Sequence, residues 1–210
     1  MIELPADFMC HKLAANDVLL EGSLPDSLLI NGDQFEILWD MHPVEYHMIQ
    51  MHGRLVKTPR WQQTYGMDYH YTGQTNQALP IPPVLKILLD WSRGTIDSRL
   101  NGILVNWYDG RLGHYIGRHR DSIQNMIIGA PIVTISFGES RIFRLRPWPS
   151  RTDGSPIDFM ARNGKVFVMP WETNRHFYHE VPFSKNCLER RVSVTIRGFE
   201  SGRTSLFGYP

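Results

Sequence analysis

The chain has 210 residues, with 22 Lys+Arg against 21 Asp+Glu, 42% hydrophobic residues and 20% charged ones. This is the profile of a soluble globular protein of one large domain or two small ones, and it excludes disordered and collagen-like chains. A chain of this size buries roughly 70% of the surface its unfolded form exposes, so a core forms without disulfides or a structural metal. Any metal it binds is then expected to be functional. The two cysteines, Cys10 and Cys187, allow neither a disulfide framework nor a C-x-x-C zinc site, which fits a reducing compartment. The N-terminal segment carries Glu3 and Asp7 and no basic run before a long apolar one, so no secretory signal is read. The longest apolar stretch, IPPVLKILLDW, is broken by Lys86 and two prolines, too short to span a membrane. The expectation is a soluble intracellular monomer.

A net charge of +1 makes no global demand for a polyanionic partner, but the basic residues cluster. Arg141, Arg144, Arg146 and Arg151 fall in one stretch with Trp148, and Arg111, Arg118 and Arg120 form a second group. Either group is a solvated face or a phosphate-binding one.

Neither an internal repeat nor a Gly/Ser linker divides the chain, so one domain is expected. Asp33-Gln34-Phe35-Glu36 has the form of a capping box, followed by Leu38 and Trp39 at helical spacing. Pro82 and Pro83 open a second helix, with Val84, Ile87, Leu88 and Trp91 as its apolar face and Gly94 as its stop. From about residue 100 onward, short β-branched runs alternate with Gly and Pro: LNGILVNWY, PIVTISF, RIFRL, KVFVMP and RVSVTIR. These predict an antiparallel β-barrel or jelly roll with functional loops and helices outside one sheet.

His119-Arg120-Asp121 follows the first of these strands, and in extended backbone residues i and i+2 face the same side. One imidazole and one carboxylate therefore converge. A second imidazole would complete the two-histidine, one-carboxylate face that leaves positions of Fe(II) open. The candidates are His179, in FYHEVP, and His176 three residues earlier.

The last strand, Arg191 to Arg197, alternates so that Arg191, Ser193, Thr195 and Arg197 share one face and three apolar residues the other. Buried guanidiniums need anionic partners, and no acid lies between these two, so an anionic ligand such as a dicarboxylate is expected. Fully extended, the two stand about 20 Å apart at ~3.3 Å per residue. They bind opposite ends of the ligand, or one of them holds a protein carboxylate.

Taken in order, Asn106-Trp107-Tyr108, Ile116 to Asp121, Pro131 to Gly138, His179-Glu180-Val181-Pro182 and R-x-x-x-T-x-R from Arg191 to Arg197 resemble the AlkB-like family of Fe(II)- and 2-oxoglutarate-dependent dioxygenases. The resemblance covers about residues 59 to 199. It implies a mainly β (α+β) fold, the double-stranded β-helix or jelly roll, with N-terminal helices packed outside one sheet. It places the metal triad on His119, Asp121 and His179. The co-substrate contacts fall on Asn106, Tyr108, Arg191, Ser193, Thr195 and Arg197, with Arg191 and Tyr108 at the distal carboxylate and Asn106 and Arg197 nearer the metal. The implied reaction consumes O2 and 2-oxoglutarate, gives succinate and CO2, and releases an N-methyl group as formaldehyde.

The same resemblance implies alkylated bases of DNA or RNA as substrate, with residues 59–73 as a nucleotide lid and residues 1–58 as an N-terminal helical extension of the 59–210 oxygenase domain. Tyr69 and Tyr71 would line the base pocket, Trp61 or Tyr65 its rim, and Arg60 with the Arg141 to Arg151 cluster would contact phosphates. Ile123 stands where many members carry a base-reading carboxylate, which leaves Asp68 as an alternative reader or points to an oxygenase acting on a small molecule or protein side chain. With all three ligands and both arginines present, a silent binding module is disfavoured.

Overall fold

The computed structural model describes residues 7–51, 53–71, 74–149 and 155–200. In chain order, β1 (Met9–Lys12) and β2 (Val18–Ser23) precede α1 (Gly32–Trp39), β3 (Met48–Met51), β4 (Arg54–Lys57), β5 (Trp61–Tyr65), β6 (Tyr69–Tyr71) and β7 (Gln74–Asn76). Helix α2 (Pro83–Thr95) leads to β8 (Gly102–Asp109), β9 (Ile116–His119), β10 (Ile132–Gly138), β11 (Arg141–Pro147), β12 (Ile157–Ala161) and β13 (Lys165–Met169). The short α3 (Trp171–His176), β14 (Phe177–Val181) and β15 (Arg190–Arg197) complete it. No helix among the described residues is long and apolar enough to cross a membrane.

A seven-stranded sheet, β1-β2-β13-β10-β15-β8-β5, faces a four-stranded one, β12-β11-β14-β9, and the ladders within both are antiparallel. This is the jelly roll. Its two cores follow from strand alternation. Val192, Val194 and Ile196 of β15 point outward and pack with Val133, Ile135, Trp107, Leu38, Leu85 and Leu88 under the helices. Burying each aliphatic side chain of that layer contributes about 1.5–3 kcal/mol. Between the sheets lie Phe143, Leu145, Phe167, Phe177 and Val181. The Trp107 indole, fully buried, donates to Leu38 O at 2.8 Å and ties α1 to the sheet.

Three details differ from expectation. The cap of α1 is Asn31, not Asp33: its side chain accepts from Gln34 N at 2.9 Å while Gln34 Oε1 accepts from Asn31 N at 3.0 Å. A box two residues earlier satisfies two helix-end donors reciprocally, so Asp33 lies inside the first turn. Helix α2 buries Leu85, Leu88, Leu89 and Ser92, while Ile87 is exposed. Both stripes keep helical spacing, and the sheet selects the one with three leucines. In the 1–58 stretch, expected as helical, residues 9–12 and 18–23 are strands, with β1 at the edge of the large sheet and β2 between it and β13. Residues 1–6, the Thr72-Gly73 end of the lid and Arg151 lie outside the described residues, as does the Tyr71 side chain.

Candidate active site

Strands β9 and β14 pair with His119 opposite His179, and the register shifts immediately after that pair. Their rings stand 4.2 Å apart. Two residues beyond His119, Asp121 brings Oδ1 to 3.7 Å from Nε2 of each histidine. One ligand atom from each of the three lies within 4.8 Å of the others, a grouping able to hold a metal ion. His176, the rival candidate, turns away: its Nδ1 meets Asp17 Oδ1 at 3.0 Å at the end of α3.

The surrounding groups set the protonation states. His119 Nδ1 lies 2.9 Å from Gly117 O; as a carbonyl only accepts, Nδ1 carries the proton and Nε2 keeps its lone pair. Burial, then the neighbouring His179, pushes His119 down to about 3, and burial also lowers His179. Burial alone would raise the Asp121 carboxyl, but Arg197 and the two histidines overcome it and hold it at about 2. Neutral imidazoles and an ionised carboxylate are the ligand-competent forms. Asp121 is fixed from both sides. Arg197 donates to its Oδ2 through Nε at 2.9 Å and Nη2 at 2.6 Å. The buried Asn174 amide accepts from Asp121 N at 3.0 Å and donates to Asp121 O at 3.1 Å.

The inner face of the large sheet forms the opposite wall. Inward residues align in rows across β5, β8, β15 and β10: Gln62–Asn106–Ser193–Ser136, then Thr64–Leu104–Thr195–Thr134, with Arg191 beside Tyr108 at one end and Arg197 at the other. One cavity is lined by the triad together with Arg60, Asn106, Tyr108, Arg191, Ser193 and Arg197. Arg191 is 1% exposed and donates through Nη2 to Ser136 Oγ at 2.9 Å, with its guanidinium 5.1 Å from the Tyr108 ring centroid. Its Nε and Nη1 are buried without a hydrogen-bond partner among the described residues. Burial disfavours its charge and lowers its pKa. A buried guanidinium with unused donors is costly unless an anion reaches it. Arg60, Arg191 and Arg197 face the cavity with Asp121 and Glu180 as the acids lining it, and Glu180 accepts from Arg146 at 2.8 Å. A dianionic 2-oxoglutarate beside a divalent metal fits that donor set.

Not every expected residue joins this cavity. Trp61 and Tyr65 pair with Trp107 and Ile103 on the helix-facing side of the sheet. Trp61 stacks 4.3 Å from His42 and 5.0 Å from Tyr46. Residue parity separates them from Gln62 and Thr64, so they form no rim. Arg60, expected at phosphates, is buried, donating through Nε to Asn106 Oδ1 at 2.7 Å and through Nη2 to Gln62 Oε1 at 2.9 Å. The β11 arginines are also committed. Arg141 is buried on the carbonyls of His114 and Pro182, Arg144 holds both oxygens of Asp158, and Arg146 holds Glu180. Asp68 accepts from Ala78 N at 2.8 Å and braces the lid turn. Tyr69 does line the cavity, and its hydroxyl accepts from Ser122 N at 3.1 Å. Gln62, Ser136 and Asn174 were not anticipated. The inward parity shared by Arg60 and Gln62 was a usable signal for the first, whereas the other two answer to partners distant in sequence.

The family model described as the 2OG-Fe(II) oxygenase superfamily matches residues 25–197. The chain belongs to that superfamily, whose cofactor and co-substrates are Fe(II), 2-oxoglutarate and O2, and within it the chain is AlkB-like. The human DNA oxidative demethylase ALKBH2 is 33% identical over 157 residues, covering 71% of this chain and 60% of that protein. The rat alpha-ketoglutarate-dependent dioxygenase alkB homolog 3 is 26% identical over 150 residues, covering 66% and 50%. This chain therefore spans less than two thirds of either relative's length. A solved structure, titled "The structure of OsALKBH1", superposes with a TM-score of 0.57 at 16% identity over 90% of this chain and all of that one, and shares its fold.

Proposed function

We infer that this chain is an oxygenase that oxidatively demethylates N-alkylated bases in DNA. The observation that carries the reading is the single cavity in which the His119–Asp121–His179 cluster faces the unpartnered donors of Arg191. His119, Asp121 and His179 would hold Fe(II). Arg191, with the Tyr108 ring beside it, would take the distal carboxylate of 2-oxoglutarate, while Asn106 orients the end near the metal and Ser193 and Thr195 line the channel between. When bound, Fe(II) with 2-oxoglutarate and O2 supplies insertion of one oxygen atom into a C–H bond, the other going into succinate as CO2 leaves, and an N-methyl group so hydroxylated departs as formaldehyde. Arg197 holds the Asp121 carboxylate ionised and oriented, and the apolar walls Leu104, Ile116 and Phe143 keep water from the reacting carbon.

DNA as substrate is supported by the similarity to the human DNA oxidative demethylase and by positive charge on the segment that carries His119 and Asp121. Arg120 lies 3.8 Å over Trp148 and Arg118 lies 5.1 Å over Tyr178, and neither forms an ion pair among the described residues. Stacked on aromatics, such guanidiniums keep donors for phosphate oxygens, Arg120 using one of its own, Nη1, on Arg175 O at 2.9 Å. That favours nucleic acid over a small molecule or protein side chain. All site groups come from one chain, so a monomer suffices, with residues 59–210 carrying the chemistry and β1 and β2, from the 1–58 stretch, extending the sheet. The test is formaldehyde and succinate release from protein supplied with Fe(II), 2-oxoglutarate and O2, with methylated oligonucleotides against unmethylated ones. Formaldehyde that depends on a methylated base establishes the reading, and succinate without formaldehyde across the panel overturns it.

A further inference from the structure

Beside the triad cavity, between β5 and β7, lies a second cleft of about 350 Å³, lined by His47, Gln62, Gln63, Thr64, Asn76 and Gln77 among others, a volume within the range of small-ligand sites. Gln62 lines both cavities. Its orientation is settled by chemistry: Oε1 accepts from Arg60 Nη2 at 2.9 Å, and a guanidinium has no acceptor to offer in exchange, so the amide cannot flip. Nε2 is therefore a donor. It is buried without an acceptor among the described residues, on a side chain 5% exposed. Asn76 Nδ2 is a second buried donor in the same condition. Among the described residues no carboxylate lines this cleft, and the Ile123 side chain, two residues past Asp121, supplies no acceptor either.

A buried donor left unpaired costs on the order of 1–3 kcal/mol, a loss a substrate acceptor would recover. We propose that the Gln62 amide is a specificity-determining donor that selects alkylated bases carrying a ring carbonyl beside the alkylated nitrogen over bases carrying an amino group and no carbonyl there. The proposal rests on the nucleic-acid reading above. In 3-methylcytosine the methylated N3 is flanked by the C2 carbonyl. In 1-methyladenine the methylated N1 is flanked by a C–H and the C6 amino group, so no adjacent acceptor meets Gln62. Both lesions are cationic, and a comparison between them isolates the hydrogen bond from charge.

The experiment measures Kd for the metal-free protein and kcat/KM for the Fe(II)-loaded protein, on single-stranded oligonucleotides of one sequence carrying either lesion. The expected parent prefers 3-methylcytosine in both readouts. Gln62→Met, which keeps the volume and removes the donor, lowers that preference about tenfold, the worth of one hydrogen bond. Gln62→Glu replaces the donor by an acceptor next to Arg60 and moves the ratio toward 1-methyladenine, which decides the matter should the methionine variant not fold. Ratios unchanged in folded variants overturn the proposal alone. Absence of formaldehyde from both lesions with the parent protein overturns the demethylase reading, and the proposal with it.

Discussion

Arg197 and Asp121 divide the carboxylate between two duties: Oδ2 accepts both Nε and Nη2 of Arg197, while Oδ1 stands 3.7 Å from each triad histidine. The arginine thus aims the free oxygen at the metal position. Arg197→Lys, which cannot donate as a fork, should weaken Fe(II) affinity about ten- to a hundredfold. His119→Ala should abolish turnover with little change in melting temperature. Asp121→Ala should abolish it and also destabilise the fold by about 3–5 kcal/mol, because Arg197 is left buried and unpaired. Equal melting temperatures for the two alanine variants would refute this division.

Arg191 should show opposite effects on binding and stability. Arg191→Met removes two buried donors that lack partners, so the ligand-free protein should melt higher. The same change should raise the half-saturating 2-oxoglutarate concentration about thirtyfold or more, the equivalent of about 2 kcal/mol. An unchanged requirement would move the co-substrate elsewhere in the cavity.

The triad histidines make the metal-free fold acid-sensitive. Both are held below their ordinary value of 6.5, His119 at about 3, so below that value the unfolded chain binds more protons than the native one. Their contribution is therefore present above pH ~6.5 and lost progressively as pH falls toward 3. Asp121, also depressed, contributes above its ordinary 3.8 and loses that only as pH approaches 2. Urea unfolding of metal-free protein should show stability falling from pH 7 to 5, and His119→Gln/His179→Gln should flatten the decline.

The charge of Arg118 and Arg120, on either side of His119, should set the salt dependence of oligonucleotide binding. Each phosphate contact on duplex DNA contributes about 0.9 to the slope of log K against log salt. Arg118→Ala/Arg120→Ala should lower that slope by up to two such steps, and the corresponding lysine pair should retain it. Arg144→Ala/Arg146→Ala should leave it unchanged, since those guanidiniums already hold Asp158 and Glu180.

Trp61 should behave as a packing residue. Set among Trp39, His42, Tyr46 and His114, its replacement by alanine should cost about 3 kcal/mol of stability. The KM for a methylated oligonucleotide should stay within a factor of two. A large KM rise in a stable Trp61→Ala protein would return this side chain to the substrate site.

The parts of this molecule legible from sequence are those written locally. Alternation in β15 foretold which four residues face inward, and the His119–Asp121 spacing foretold their convergence. The proline pair marked the start of α2. What escaped was decided across the chain. Strands β1 and β2 are short, and the pair is anchored only where β2 meets β13, more than a hundred residues away. Trp61 and Tyr65 stood among plausible base-stacking aromatics, yet their parity turns them to the helix side, a constraint available in principle from Gln62 and Thr64 between them. The β11 arginines resembled a phosphate patch because their acids lie on neighbouring strands, Asp158 on β12 and Glu180 on β14.

Strand β15 sits between β8 and β10 in the large sheet, with cavity residues on one side and three aliphatic residues on the other. A slip of one residue in its pairing would place Val192, Val194 and Ile196 in the cavity and bury two guanidiniums in hydrocarbon. No slipped conformer can retain a weakened activity. Catalytic competence and strand alignment should accordingly appear together during refolding, so recovered turnover would time the locking of β15, a step that bulk secondary-structure signals pass over.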